Sequence, residues 1–467
     1  MNTNFSTPDA NTVVNTPNAP VNLNSTTLTN NSGAPQTLNG LFGITGTSEI
    51  HNTSSSDTTI FSHPMSTPSG STLRITGAGT TTFSANNSSM FGAVEVSGSS
   101  TVNVQSGLGS GTVSLAGTSK LVVQNGATLN NAVATVAGTE IRLQPAANPV
   151  TVNQAISGGA NIYISGGGTA NFTAANPSLS GLVVLNSSTA NIADGVNSLG
   201  TGELNLAGTS PTVIMGNVTL PNPISATVAA TFTSDTGTTA ILSGAITGNN
   251  TLTFNGTGTK KLTADSPNYT GTVQVDDGKM VVNANFRNAS LNVGANGTLG
   301  GAGTIGDVIL SAGARIRPGN SIAKLYMNTL NSTGNIFTVE VNSAGKTNTV
   351  VVAGDATLVN PTFELLKDAG TETGVSNTYK QGVIDYVALQ AGGALNVTGP
   401  VTVKWLSPAG DGGSTPNPSS VIAGTVSKKT NGVLTNYLVL KETFTDDVTI
   451  NINQTSTDGG GTTGPFH

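Results

Sequence analysis

The chain has no cysteine, so disulfide bonds, thiolate metal sites and a cysteine nucleophile are all excluded. Aromatic residues make up only 4% of its 467 residues, and the core must therefore be built from aliphatic side chains. No apolar run approaches the roughly 20 residues that a membrane-spanning helix needs. Stability has to come from aliphatic burial and from backbone hydrogen bonds.

Charge is also scarce. The sequence has 17 basic and 23 acidic residues and a formal net charge of −6. Binding to nucleic acid needs clustered Lys and Arg that neutralise phosphates, so this composition argues against a nucleic-acid partner. The densest basic spots are Lys260-Lys261 and Lys428-Lys429, and we expect both pairs to lie in solvated turns.

Glycine is abundant, with 59 residues, and it punctuates segments rich in Thr, Ser, Asn and Val. This composition is typical of many short strands joined by tight corners. One frame of such strands recurs at 73–96, 162–184 and 252–283. Two sets of glycines mark it at intervals of 89 and 90 residues, namely Gly79, Gly168 and Gly258, and Gly92, Gly181 and Gly271. The chain is therefore a repeat array.

A further pair of matching segments lies between these frames, at 108–123 and 199–214. Each strand shows three or four residues of apolar–polar alternation and then Gly or Asn. Such strands are too short to stand alone, but a coil that climbs about 4.8 Å per turn stacks each strand on its counterpart. With about 20 residues per coil, each repeat holds about four coils. We predict an all-β fold, a right-handed parallel β-helix with a β-rich C-terminal cap.

A β-sandwich, or a string of immunoglobulin-like domains near 90 residues each, is the alternative that the period permits. The short, evenly spaced, Gly-bounded strands argue against it, and no linker separates the repeats. No Trp or Tyr stands where a sandwich core would be anchored. The β-helix is the favoured architecture.

Composition also divides the chain into segments. Pro318-Gly319 predicts a corner where the regular array closes, and Asn431-Gly432 predicts a hairpin turn. The predicted segments are a flexible Asn/Thr/Pro-rich start (1–35), the β-helix (36–325), a β-rich cap (326–407), a Pro/Gly/Ser loop (408–420), terminal strands (421–455) and a flexible tail (456–467).

The stretch 256–283, GTGTKKLTADSPNYTGTVQVDDGKMVVN, resembles the autotransporter-associated β-strand repeat. Weaker copies extend back to about residue 70, and 318–322 resembles the family's exit from the repeats. The segment 338–358 is similar to the passenger end that caps the β-helix and assists its folding outside the cell. The matching positions are Gly256, Gly258, Thr259, Asn268, Tyr269, Thr270, Gly271, Val273, Gly278 and Val281.

This resemblance implies an exported passenger domain of type V secretion at the cell surface, exterior to a Gram-negative outer membrane. The expected role is that of a non-enzymatic adhesin or surface scaffold. The expected partners are host or neighbouring-cell surface molecules, or copies of the chain itself. Two features depart from the family: Met90 and Leu179 stand in place of Tyr269 in the earlier copies, and no C-terminal length remains for a translocator barrel. Because no barrel length remains, the resemblance implies a released or truncated passenger, or a surface protein without a translocator. The N-terminus lacks a basic start and an apolar core, so for an exported protein we expect the secretion signal to have been removed.

Residues that could perform chemistry are few. His51 and His63 lie 12 residues apart in a Ser/Thr-rich stretch, and a metal site would need a third ligand. We interpret both as polar surface residues and His467 as part of the tail. Asp276-Asp277 and Asp446-Asp447 are interpreted as polar turns rather than acid/base or calcium pairs. We therefore expect no catalytic, cofactor-binding or metal-binding residues and no cofactor.

Two other functions remain open at this point. A polysaccharide-acting enzyme could use the same scaffold, provided that acidic and basic side chains converge on one outer face. Alternatively, the chain could be a self-assembling surface-layer or filament subunit, in which exposed strands within 326–452 pair between chains.

Overall fold

The computed structural model describes residues 3–5, 13–15, 21–193, 195, 199–319, 322–367, 378–379, 382–406, 420–430, 433–444 and 448–449. Every regular element in these ranges is a β-strand, which confirms the all-β prediction. The ranges contain no apolar helix of membrane-spanning length. The chain forms two compact units, Met1–Ala230 and Thr231–His467, and each is described separately.

The first unit consists of short strands, most of them three to six residues long. They are β1 (Thr3–Phe5), β2 (Val13–Asn15), β3 (Val21–Asn24), β4 (Thr27–Asn30), β5 (Pro35–Asn39), β6 (Phe42–Thr45), β7 (Thr47–Asn52), β8 (Thr58–Phe61), β9 (Met65–Ser66), β10 (Thr72–Gly77), β11 (Thr80–Phe83), β12 (Ala93–Val96), β13 (Thr101–Val104), β14 (Val113–Leu115), β15 (Lys120–Gln124), β16 (Thr128–Leu129), β17 (Val133–Thr135), β18 (Glu140–Gln144), β19 (Val150–Val152), β20 (Ile156–Gly158), β21 (Asn161–Ile164), β22 (Thr169–Phe172), β23 (Val183–Asn186), β24 (Thr189–Ile192), β25 (Leu204–Ala207), β26 (Thr212–Met215), β27 (Val218–Leu220) and β28 (Ile224–Ala226).

The second unit begins with equally short strands and continues with longer ones. They are β29 (Ala230–Ser234), β30 (Thr239–Leu242), β31 (Ile246–Gly248), β32 (Leu252–Asn255), β33 (Thr259–Leu262), β34 (Thr272–Val282), β35 (Asn285–Phe286), β36 (Ser290–Gly301), β37 (Thr304–Leu310), β38 (Arg315–Pro318), β39 (Lys324–Thr333), β40 (Ile336–Val341), β41 (Thr349–Val352), β42 (Ala356–Val359), β43 (Thr362–Lys367), β44 (Thr378–Tyr379), β45 (Gly382–Ala391), β46 (Leu395–Thr398), β47 (Thr402–Leu406), β48 (Ser420–Thr430), β49 (Val433–Phe444) and β50 (Val448–Thr449).

Strands of the first unit pair in parallel, each with its counterpart one coil earlier. Along one sheet, Val94 of β12 pairs with Val113 of β14, which pairs with Val133 of β17 and then Ile156 of β20. Successive partners are roughly 20 residues apart, which is the coil length expected of a solenoid. Stacked parallel coils confirm the β-solenoid. Coils already pair at β3 with β6 and β4 with β7, ahead of the start expected near residue 36.

Parallel pairing in the second unit continues well past residue 325, where the sequence placed the end of the β-helix. β39 pairs in parallel with β41 and β42, and β43 with β47. The pairing is antiparallel where β45, β49 and β48 form the terminal sheet, and β44 and β50 also pair in antiparallel fashion. The predicted loop at 408–419, the Asn431-Gly432 turn and the tail at 456–467 lie outside the described residues.

The core consists of aliphatic columns that run from coil to coil. In one column each residue pairs with the next and all are buried, because the alternation of each strand directs the same parity inward. Each buried side chain of this size contributes about 1.5–3 kcal/mol. The column consists of Leu121, Ile141, Ile162, Val183 and Leu204.

The glycines that mark the repeat occupy points where successive coils approach most closely. A Cβ on Gly181 would lie 1.8 Å from the carbonyl oxygen of Ala160, and one on Gly92 would lie 2.4 Å from that of Ser71. Gly271 has the same environment, with the nearest carbonyl oxygen at 2.3 Å. The sequence period therefore corresponds to one recurring structural position where no side chain fits.

Candidate functional site

The two histidines within the described chain lie in small polar networks. His51 of β7 has its Nδ1 2.8 Å from the Thr76 hydroxyl and 3.8 Å from the Glu49 carboxylate. His63 is exposed. Among the described residues, no group of three or more His, Asp or Glu side chains is close enough to hold a metal ion.

The Asp276-Asp277 pair lies in β34, which runs through the corner with a register shift just before Asp277. Asp276 accepts a hydrogen bond of 2.9 Å from the Gln274 amide, and Asp277 accepts one of 2.8 Å from the Gly278 N–H. Both carboxylates therefore accept hydrogen bonds from residues one or two positions away in the same strand. Asp446-Asp447 and His467 lie outside the described residues.

Lys260 corrects the prediction that Lys260-Lys261 forms a solvated turn. Its side chain occupies an inward position of β33 and is completely buried, whereas Lys261 is half-buried. The Lys260 ammonium donates to the carbonyl oxygen of Gly256 and lies 3.3 Å from those of Gly258 and Asp277. It therefore fastens one corner to the coil that follows.

Burial lowers the pKa of Lys260 to about 8, and the nearby negative charge of Asp277 opposes this shift. Main-chain carbonyls that accept hydrogen bonds from the ammonium favour its charged form. All three contacts of the ammonium are with main-chain oxygens. The geometry is that of a structural clamp rather than of an exposed amine nucleophile.

Lys428 and Lys429 are exposed, as predicted, but they lie in strand β48 rather than in a turn. They therefore belong to the terminal sheet of the second unit.

Tyr269 occupies the corner that the sequence singled out. Its hydroxyl lies 2.8 Å from the Asn250 carbonyl oxygen and 2.9 Å from that of Thr272. Burial raises its pKa, so the hydroxyl remains a donor at neutral pH. Met90 and Leu179 form the same isolated bridge to the preceding coil and are equally buried. An apolar side chain can therefore fill this corner in the earlier copies without the hydroxyl of Tyr269.

Sequence reasoning missed a set of buried polar residues that recur with the repeat. Asn176 accepts a hydrogen bond of 2.6 Å from the Ile156 N–H, and Ser266 accepts one of 2.9 Å from the Ile246 N–H. Asn87 has the same role in the first copy. Their 89- and 90-residue spacing was the signal that could have identified them.

A charged cluster lies on the outer surface of the first unit. Arg142 donates to the Glu140 carboxylate at 2.7 and 2.9 Å, and the Lys120 ammonium lies 3.5 Å away. Burial raises the pKa of Glu140, but Arg142 and Lys120 outweigh this and lower it overall. Glu140 is therefore ionised at neutral pH and unsuited to act as a general acid.

A concave surface of the first unit has a volume of about 460 Å³, and we call it the polar groove. Its lining consists of amides, hydroxyls and glycines. The Asn153 amide donates to the Asn130 side-chain oxygen at 2.8 Å, and the Thr128 N–H donates to the Ser106 carbonyl at 2.9 Å. The polar residues that line the groove are Asn86, Ser88, Ser106, Ser110, Thr128, Asn130 and Asn153.

An exposed aromatic residue lies next to the polar groove along the chain. The Ser110 N–H donates to the Met90 carbonyl at 2.9 Å, and Phe91 follows Met90 directly. Phe91 is 55% exposed, which is unusual in a chain with so few aromatic residues. Phe91 is not among the residues that line the groove, and this backbone hydrogen bond is what brings its neighbour Met90 beside Ser110.

The fold defines the chain as a β-solenoid protein. No protein-family model and no curated protein matches the sequence. Membership of the autotransporter family therefore remains a proposal, as does the right-handed sense of the coil.

Proposed function

We propose that the chain is the passenger region of an exported bacterial surface protein and acts as a non-enzymatic adhesin or surface scaffold. The observation that supports an adhesive role most directly is the polar groove. The resemblance of 256–283 to the autotransporter-associated repeat supports the surface location, exterior to a Gram-negative outer membrane. Its partners would be molecules on host or neighbouring cells.

The chemistry of the polar groove suits a neutral, hydroxyl-rich ligand such as a glycan. Amides and hydroxyls both donate and accept hydrogen bonds, as sugar hydroxyls do. The volume of about 460 Å³ lies within the range of small-molecule sites.

The lining of the groove favours recognition over hydrolysis. Cleavage of a glycosidic bond uses a pair of carboxyl groups on either side of the bond. The groove presents amides, hydroxyls and glycines instead. An adhesin fits this lining better than a polysaccharide-acting enzyme does.

A glycan array probed with the full chain tests the adhesive role, and we expect binding to neutral glycans. The double variant Asn86→Ala/Asn130→Ala should weaken that binding about thirtyfold, because two hydrogen-bonding groups of about 1 kcal/mol each are lost. The matched control is Asn171→Ala/Asn191→Ala, which removes an amide pair 3.0 Å apart outside the groove. The proposal would be refuted if the chain bound no neutral glycan on the array, or if both double variants bound neutral glycans equally well.

The surface location is tested separately. Antibodies raised against the chain should label intact cells of the source bacterium. Labelling that requires permeabilised cells would contradict export.

A further inference from the structure

The terminal sheet of the second unit has one outer face without a covering layer among the described residues. We call this the terminal sheet face, formed by Asp385 and Val387 of β45, Tyr437 and Val439 of β49, and Ile422 and Val426 of β48. These residues line a depression of about 710 Å³.

The face is apolar and exposed. Ile422 is 61% exposed and Val426 is 53% exposed. The opposite face of the same sheet is core, since Tyr386, Leu438 and Leu440 are buried. Contiguous exposed apolar surface on a soluble chain usually marks an interaction site.

The charged residues of the face are Asp385, Lys441 and Lys428, of which Asp385 and Lys428 lie at opposite corners. Asp385 pairs in register with Lys441, which pairs with Ile422, and these three form the first row across the strands. Lys428 of β48 pairs with Thr435 several residues further along. Asp385 on one outer strand and Lys428 on the other therefore lie diagonally across an apolar centre.

We propose that the terminal sheet face is the interface of a homodimer. Consider a two-fold axis that lies in the plane of the interface and is perpendicular to the line from Asp385 to Lys428. This axis places Asp385 of each copy opposite Lys428 of the other copy. Such an isologous contact forms both charge pairs at once and covers the apolar centre. Gly424 lies in that centre and pairs with Val439, so the two backbones can approach closely.

The size of the face sets the expected strength of the dimer. Three strands about 4.8 Å apart and about seven residues of about 3.3 Å each give roughly 300–400 Å² per copy. A standard stable interface buries about 800 Å² per partner. We therefore expect a weak, reversible dimer that depends on protein concentration.

Sedimentation equilibrium of the full chain over a range of concentrations tests the interface. The wild-type chain should show a monomer–dimer equilibrium, and Asp385→Lys or Lys428→Asp should each weaken it about tenfold or more. The double variant Asp385→Lys/Lys428→Asp should restore dimerisation, because the exchanged charges attract again. Lys428→Asp is the cleaner single change, since Asp385 also lies 3.9 Å from Lys441 of its own chain.

Two further variants separate the interface from general effects. Lys429→Asp changes the same charge on the neighbouring, equally exposed residue of β48 and should leave dimerisation unchanged. Gly424→Arg should abolish dimerisation without loss of thermal stability, because a Cβ there meets no atom within 4 Å. A wild-type monomer at all concentrations, a double reversal no better than the singles, or an equal effect of Lys429→Asp would each overturn the proposal. None of these outcomes depends on glycan binding.

Discussion

Lys260 places a cation inside an aliphatic column, and three carbonyl oxygens surround it there. Two adjacent lysines, taken by themselves, do not indicate which of the two points inward. The repeat contained that information, because Thr81 and Ala170 stand at the same distance after the marker glycines and both are buried. Aligning the copies position by position would have predicted the burial of Lys260.

The burial of Lys260 predicts a dependence of stability on pH. Its pKa is about 8 in the folded chain against an ordinary value of 10.5, so the unfolded chain binds more protons between these values. The free energy of unfolding should therefore rise with pH in this window, by up to about 3 kcal/mol, and this group should contribute no slope below about pH 8. Urea unfolding at several pH values measures the effect.

The control for this measurement is Lys260→Met, which should lose the additional rise, while Lys261→Met should keep it. An identical pH dependence in both variants would show that Lys260 is not its source.

The marker glycines predict a steric cost. Gly181→Ala would bring a methyl group against the Ala160 carbonyl of the coil below, and the backbone must move to accommodate it. We expect the free energy of unfolding to fall by about 1–3 kcal/mol. Gly424→Ala, where the added carbon meets open space, should change it by less than about 0.5 kcal/mol in the same chemical denaturation experiment. Equal effects of the two changes would contradict the close-approach explanation.

Strands and corners were largely predictable from sequence, whereas their partners were not. Alternation and glycine spacing indicated short parallel strands, and the structure confirms them. The same alternation in β40 and β43 fits either parallel or antiparallel pairing, because side-chain parity does not depend on strand direction. The parallel coils continue to β47 through contacts between residues distant in sequence. The higher charge of this region suggested a cap of different architecture, but the strands still pair in parallel.

An ion pair connects two of these later strands. Arg315 of β38 donates to the Glu364 carboxylate of β43 at 2.6 Å, and Glu364 is only 7% exposed. Arg315→Ala leaves that carboxylate buried without its cation, so we expect a loss of about 2–4 kcal/mol in unfolding free energy. The apolar replacement Arg315→Met/Glu364→Leu should recover most of this loss. If the double variant is less stable than Arg315→Ala, the ion pair has a role beyond charge compensation.

The polar groove is formed by several coils together, and it could not be predicted from sequence. Asn86, Ser110, Thr128 and Asn153 come from successive coils, and they meet because those coils stack. Placing them together requires the exact length of every intervening coil, and the paired residues show that this length varies. The fold class followed from the period, but the groove and the terminal sheet face depend on how segments distant in sequence come together.

Low charge predicts a molecule whose stability responds little to salt. Only 9% of the residues are charged, and exposed pairs such as Arg74–Glu95, at 3.0 Å, contribute at most about 1 kcal/mol each. We expect the midpoint of thermal unfolding to shift by less than about 4 °C between low salt and about 1 M NaCl. A much larger drop in the midpoint at high salt would reveal an electrostatic contribution that the described ion pairs do not account for.

Because Gly92 and Gly181 occupy the same place in consecutive copies, each copy meets the coil before it through the same close backbone contact. A gene segment that encodes one copy can therefore be duplicated or lost without creating a mismatched junction. Lineages that carry this chain should differ in the number of copies more readily than in the spacing inside a copy.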